Sequence, residues 1–336
     1  VVEPAVPEFL GKLAVTDRRA TRLDLANWLT DAQHGAGGLT ARVFVNRLWY
    51  LFFGVGIAKS LDDFGGQGEP PVHPELLDNL AVEFVESGWN VKHMVKLLVM
   101  SRAYRQSSLE SPELRERDPE NRLVARQSRF RLPAEVVRDN ALEIGGLLVR
   151  NVGGDSAHPY QPAGYYKHLN FPTREYKHDT DTGQWRRGVY VHWQRTYLHP
   201  MLKAFDAPSR EECTAQRPRS NTPLAALVLL NDPSFIESAR TLAERTLASG
   251  GPTDEARLDH AFRRAVSRRP DDFERATLVK LLASNRDQYH AARDAAEKLI
   301  HTGQAPVLPN IDDAELAAWT AVCRAILNLN ETITRN

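Results

Sequence analysis

Five of the eleven histidines fall between residues 158 and 199, where the sequence has no sustained helical period. Neutral imidazole is the commonest metal ligand in proteins, and aspartates in or beside this segment offer further oxygen ligands. The histidines are His158, His168, His178, His192 and His199, and the aspartates are Asp155, Asp179, Asp181 and Asp206. Their spacings are long and contain no H-x-x-x-H pair, so packing against aromatic rings is the favoured interpretation and no metal is predicted.

The stretch RRGVYVHWQRTYLHP, residues 186–200, combines arginines with aromatic rings. Arginine pairs with carboxylate, sulfate or phosphate groups, and aromatic rings stack on a sugar face or a haem edge. The alternative is an aromatic core strand flanked by solvated arginines. The ligand-binding residues predicted from this and the adjoining segments are His158, Tyr160, Trp185, Arg187, His192, Trp193, Arg195, His199, Asp206 and Arg210.

The next string, FDAPSREECTAQR at 205–217, contains the thiol of Cys213 downstream of two histidines. A thiolate nucleophile with a histidine base is the catalytic alternative. However, Pro208 followed by serine and two glutamates is typical of a helix N-terminus, and nearby acids raise a thiol pKa. We therefore predict a helix start here, with Asp206 and Arg210 either fixing the junction between the irregular segment and that helix or facing its pocket.

Established catalytic motifs are not found in the sequence. It has no G-x-S-x-G nucleophile elbow, no sulfatase motif, no C-x-x-C or haem-attaching C-x-x-C-H, and no carboxylate pair that stands out as a glycosidase site. The glycine-rich stretch DDFGGQGEPPVHP at 62–74 lacks the G-K-[ST] of a phosphate-binding loop. It is predicted to be a rigid loop capping the next helix, with cation binding by its acids as the alternative.

Composition indicates an ordinary soluble globular protein. Lys+Arg and Asp+Glu both number 43 in 336 residues, so there is no net charge to attract nucleic acid or an anionic membrane. No apolar run reaches transmembrane length, and no signal peptide is evident. Because the chain lacks an initiator Met, we expect a fragment or a processed product. Cys213 and Cys323 are compatible with either a disulfide or two free thiols.

Helical periodicity dominates both sides of the irregular segment, which predicts a mainly α fold with an irregular, partly β, aromatic and His-rich insert. The predicted division is an N-terminal helical lobe at 1–149, the insert at 150–204 and a C-terminal helical lobe at 205–336. GVYVHW at 188–193 is the predicted strand. PLAALVLLN at 223–231 is apolar nearly all round and is predicted to be a buried helix, and Asp232-Pro233 to start the next one.

Several strings in the chain resemble one family, the planctomycete-type domain of unknown function 1553. They include LTARVFVNRLWYLFFGVGIAKSLDDFGG, GGDSAHPYQPAGYY, FDAPSREECTAQRPRSNTPLAALVLLNDPSF and AWTAVCRAILNLNETITR. The resemblance runs from about residue 20 to the end. It implies an extracytoplasmic location and a larger parent protein, in which a cytochrome-c-like haem domain and a second domain of unknown function lie upstream and are partners of this one. It supplies no reaction and no catalytic residues.

These observations favour a binding or docking module, and the family resemblance implies a link to electron transfer or polysaccharide use. Haem is expected in the upstream domain and no cofactor in this chain; carbohydrate is the candidate ligand, and nucleic acid is not expected. The alternatives are an extracytoplasmic hydrolase or oxidoreductase acting on a carbohydrate, and a structural scaffold without a ligand. The enzyme question stays open, with non-catalytic binding favoured for this domain alone.

Overall fold

The computed structural model describes residues 2–169 and 173–335, which form two compact units that meet in sequence between Phe130 and Arg131. Helices are the main regular structure in both, so the mainly α prediction is confirmed. The irregular segment 150–204 belongs to the second unit. The proposed lobe boundaries at 149 and 204 stay a prediction.

The first unit consists of helices joined by long loops. A 3₁₀ turn covers Glu8–Leu10, followed by α1 (Arg22–Thr30), α2 (Gly37–Phe53), α3 (Pro74–Glu86), α4 (Val91–Met100) and α5 (Pro112–Arg117). Its core consists of fully buried apolar side chains from α2, α3 and α4, among them Val45, Leu77 and Met94. The predicted loop before α3 is held by Asn46, whose side chain donates to Ala58 O at 2.8 Å and accepts from Ala58 N at 2.9 Å.

The second unit has more helices, and its chain begins within the first of two very short strands. The helices are α6 (Ala134–Gly145), α7 (Pro200–Ala204), α8 (Pro223–Asn231), α9 (Pro233–Ser249), α10 (Asp254–Val266), α11 (Asp272–Ala291), α12 (Arg293–Ile300), α13 (Asp313–Leu327) and α14 (Asn330–Ile333). Thr182–Trp185 and Gly188–Tyr190 are 3₁₀ turns, and β1 (Phe130–Arg131) pairs with β2 (Thr334–Arg335). As predicted, α9 begins at Pro233, where the Asp232 side chain caps the amide of Ser234.

Helix α13 is the centre of the second unit, because it packs against α9, α11 and α12. Its small residues Ala314 and Ala317 are fully buried and permit close approach, while Trp319 fills the space between helices. Each large apolar side chain buried in this way contributes about 1.5–3 kcal/mol to folding. Cys323 is buried here as a free thiol, with its pKa raised by burial, whereas the free thiol of Cys213 is exposed.

Two predictions for the insert and the residues that follow it are wrong. Gly188–Tyr190 is a 3₁₀ turn rather than a strand, because the amide of Gly188 donates to Asp139 Oδ1 of α6 at 2.6 Å and bends the chain. No helix begins at Pro208. Residues 206–222 are irregular, and both Asp206 and Arg210 have left-handed backbone, with φ of 59° and 63°, which interrupts any helix.

Helix α8 forms as predicted, but only part of it is buried. Ala225 and Leu229 enter the core, whereas Leu224 and Leu227 are more than half exposed. An apolar sequence therefore predicted the helix correctly and its burial incorrectly. No helix in the described part of the chain is both long and apolar enough to cross a membrane.

Candidate functional site

The irregular segment is anchored to α6 by a buried arginine. Arg138 is fully buried, and its guanidinium donates to the carbonyl of Arg186 at 2.7 Å and to the carbonyl of Gln184. Burial lowers the pKa of Arg138 against the opposing effect of nearby acids, of which Asp139 is the first. Because the guanidinium nitrogens bind two carbonyls of an irregular segment, Arg138 fixes the path of that segment across α6.

A buried carboxylate on α9, that of Glu237, also anchors the irregular segment. Glu237 Oε2 accepts from Trp185 Nε1 at 2.9 Å and from the Tyr160 hydroxyl at 3.3 Å. Its Oε1 accepts the backbone N–H groups of Gln304 and Ala305, both at 2.6 Å. Burial and the neighbouring carboxylate raise the pKa of Tyr160, so its phenol stays protonated and donates. Glu237 thus joins the irregular segment, α9 and the loop after α12.

We call Arg138, Glu237, Tyr160, Trp185 and His199 the supporting layer of the irregular segment. His199 is buried in this layer and does not lie in an accessible site. It is 3% exposed, and its Nε2 donates to the Tyr160 carbonyl at 2.8 Å. Burial and the Arg138 charge lower the pKa of His199 to about 4, so the ring is neutral at pH 7. Burial and its bond to a carbonyl make His199 a packing residue in this structure.

His158 and His192 are brought together above this layer. Their rings stack with centroids 4.8 Å apart and planes 22° apart. Asp179 accepts the backbone N–H of His158 at 2.7 Å, and its other oxygen is 3.6 Å from His158 Nδ1. Burial, followed by the charges of His158 and Arg174, lowers the pKa of His192.

Tyrosine rings continue from this histidine pair. Tyr176 lies 5.7 Å from His158 and 5.4 Å from Tyr166, and Tyr197 lies 5.7 Å from Tyr166 and 6.0 Å from Tyr165. We call His158, His192, Tyr165, Tyr166, Tyr176 and Tyr197 the aromatic cluster. Tyr166 is buried and the other five are half-buried. The hydroxyls of Tyr176 and Tyr165 donate to backbone carbonyls at 2.6 and 3.0 Å, which fixes the orientation of both rings.

Trp193, Arg195 and Arg210 form a separate group. The Arg210 guanidinium carbon is 3.7 Å from the centroid of the Trp193 ring, a cation–π contact, and Trp193 Nε1 donates to Ser209 O at 3.3 Å. Arg195 pairs loosely with Glu211 at 3.7 Å. This group orders residues 209–211 against the insert.

Asp206 and Arg187 both contact other side chains of the protein. Asp206 accepts from the buried Arg131 guanidinium and from Ser220, whose amide is 2.7 Å away. It therefore closes the irregular stretch between α7 and α8, although the helix at whose start it was predicted to lie does not form. The Arg187 guanidinium lies 5.5 Å from the Tyr190 ring centroid.

The ten predicted residues therefore do not converge on one pocket. His158 and His192 meet in the aromatic cluster, Tyr160, Trp185 and His199 lie in the supporting layer, and the others lie elsewhere. Sequence reasoning missed Arg138 and Glu237, although each is a charged residue at helical spacing from core positions such as Ala134, Ala141 and Thr241. Among residues 2–169 and 173–335, no three His, Cys, Asp or Glu side chains are arranged to hold a metal ion.

Comparison with protein-family models matches residues 21–282 to PSD1, described as a protein of unknown function (DUF1553). The chain belongs to the DUF1553 family. The DUF1553 match includes the aromatic cluster, Arg138 and Glu237, but not the Gln304–Ala305 amides that bind Glu237. Comparisons with curated proteins and with solved structures found no match.

Proposed function

We propose that the second unit is a non-catalytic binding module for a carbohydrate and that the aromatic cluster is its contact surface. The observation that carries this proposal is the set of half-buried tyrosine and histidine rings held in fixed orientations. Such rings offer apolar faces to the C–H surface of a sugar, while imidazole nitrogens and carboxylates bind its hydroxyls.

The layer beneath the cluster supports the proposal because it makes the surface rigid. Arg138 and Glu237 hold the segment through charge-assisted hydrogen bonds, so little conformational entropy is lost when a ligand binds. At the edge, the exposed Arg174 donates to Gln194 Oε1 at 3.1 Å, which places a guanidinium and an amide within reach of sugar hydroxyls.

The test measures binding of the protein to soluble neutral and acidic polysaccharides by affinity electrophoresis and calorimetry. His158→Ala and Tyr197→Ala should each weaken binding about tenfold, since one stacking or hydrogen-bonding group is worth about 1.4 kcal/mol. Phe273→Ala is the matched control, because this α11 ring is 80% exposed and lies outside the cluster. Binding that is absent across the panel, or unchanged in both cluster variants, refutes the proposal.

A hydrolase is the second candidate, and the His158–Asp179 pair favours it. An aspartate beside Nδ1 orients an imidazole so that Nε2 can act as a general base. Release of reducing ends that is lost in both His158→Ala and Asp179→Asn would replace the binding-module proposal by this one. Contact with a haem-containing upstream domain, and an extracytoplasmic location, remain proposals from the family resemblance; the structure of the full-length parent protein tests the former.

A further inference from the structure

A cleft of about 520 Å³ opens along α10 of the second unit, and its lining is rich in arginine. The lining residues are Ala256, Asp259, His260, Arg263, Arg264 and Arg269. Those from α10 lie at positions i, i+3, i+4, i+7 and i+8 from Ala256 and so share one face of the helix. The chain has equal numbers of basic and acidic residues, so this local excess of positive charge reflects placement rather than composition.

Two of the three guanidiniums contact other groups of the protein, Arg264 through a hydrogen bond and Arg269 through a loose ion pair. Arg264 Nε donates to the carbonyl of Ile144 in α6 at 2.9 Å. Arg269 Nε lies 3.6 Å from Asp259 Oδ2, and the other oxygen of Asp259 is 2.8 Å from Arg275. Because Asp259 is shared by two arginines, its single charge leaves the cleft with net positive charge.

Arg263 is the third guanidinium, and it is exposed. Within residues 2–169 and 173–335 it forms no salt bridge with an acidic side chain. His260 lies beside it in the lining, where burial and the Arg264 charge lower its pKa. At neutral pH this imidazole adds a hydrogen-bonding group to the cleft without adding charge.

We propose that this cleft binds a phosphate or sulfate group through Arg263, Arg264 and Arg269. A guanidinium presents parallel N–H donors that match two oxygens of such a group, and arginine retains its charge at all physiological pH values. Holding the Arg264 guanidinium in place before the ligand arrives reduces the entropic cost of binding. The anion is either a free ion or a group carried on a polymer, since both present the same oxygens.

The experiment is calorimetric titration of the whole chain at low ionic strength with two probes, inorganic pyrophosphate and dextran sulfate. Binding of pyrophosphate supports a site for a free anion, and binding of dextran sulfate alone supports a polymer-borne group. Arg263→Glu should weaken either interaction about tenfold or more, because it replaces an unpaired cation by an anion. Because the Arg263 side chain is exposed, the variant should fold normally, and circular dichroism tests whether it does.

Lys280→Glu is the matched control, since it makes the same charge change at an exposed position of α11 in the same unit. Failure of both probes to bind overturns the proposal, and so does an equal loss of affinity in the Arg263 and Lys280 variants. His158→Ala should leave pyrophosphate binding unchanged. Dextran sulfate binding counts for this cleft only where Arg263→Glu weakens it and His158→Ala does not, so this result and the carbohydrate result can fail independently.

Discussion

Replacement of Glu237 by glutamine tests whether one buried carboxylate holds the candidate site together. The native carboxylate accepts two backbone amides on Oε1, and the indole N–H of Trp185 and the Tyr160 hydroxyl on Oε2. A glutamine keeps one acceptor oxygen and presents an NH₂ group to the other pair of donors. The Tyr160 hydroxyl can rotate to accept from that NH₂, but the indole N–H can only donate.

The magnitude follows from those contacts. A buried donor left without an acceptor costs about 1–3 kcal/mol. The two backbone bonds that remain lose their charge assistance, which accounts for about half of their strength. We therefore expect Glu237→Gln to lower the free energy of unfolding by about 3 kcal/mol. In a unit of roughly 200 residues this corresponds to about 6–12 °C in Tm.

Urea unfolding followed by circular dichroism measures the loss, and hydrogen exchange locates it. The amides of Gln304 and Ala305 should exchange faster in the variant, because their acceptor is weakened. Glu297→Gln on α12 is the control: its side chain is exposed, so a change within about 0.5 kcal/mol is expected. Wild-type stability and unchanged exchange at both amides in Glu237→Gln would refute the anchoring role.

Three further predictions concern single substitutions in the second unit, and one of them has its control in the first unit. The folded-state pKa of His199 is about 4, so the stability that its neutral form contributes above pH 6.5 is lost as pH falls toward 4. Urea unfolding at pH 7 and pH 4.5 should show a loss of about 2.4 kcal/mol in the wild type that His199→Gln lacks. Arg210→Ala should cost at most about 1 kcal/mol but alter tryptophan fluorescence, since it removes the cation stacked on Trp193; an unchanged spectrum contradicts that stacking. Gly303→Ala should destabilise the protein by more than about 2 kcal/mol in thermal unfolding, because φ is 99° and a Cβ would lie 2.5 Å from the Glu237 carboxyl carbon. Gly38→Ala is the control and should not destabilise the protein, because Gly38 lies in an open helical position.

Local sequence signals predicted much of the fold. Thr222-Pro223 and Asp232-Pro233 mark the starts of α8 and α9, since a capping side chain and a proline with fixed φ satisfy the first turn without help from elsewhere. The glycine-rich loop before α3 was predicted on the same basis. Pro208 carried a similar signal and failed, because the Asp206 contacts with Arg131 and Ser220 outweigh a local preference worth about 1 kcal/mol.

The amino-acid sequence by itself determined the helical class and most helix starts, because these depend on local periodicity and local capping. Its distinctive strings determined the family. Only the tertiary structure decided which residues of the irregular segment meet. His158 and His192 stack across 34 positions of chain because Arg138 binds backbone carbonyls of the segment between them and Glu237 binds its Trp185 and Tyr160 side chains. An irregular segment has no internal hydrogen-bond pattern to set its path, so long-range polar contacts set it instead.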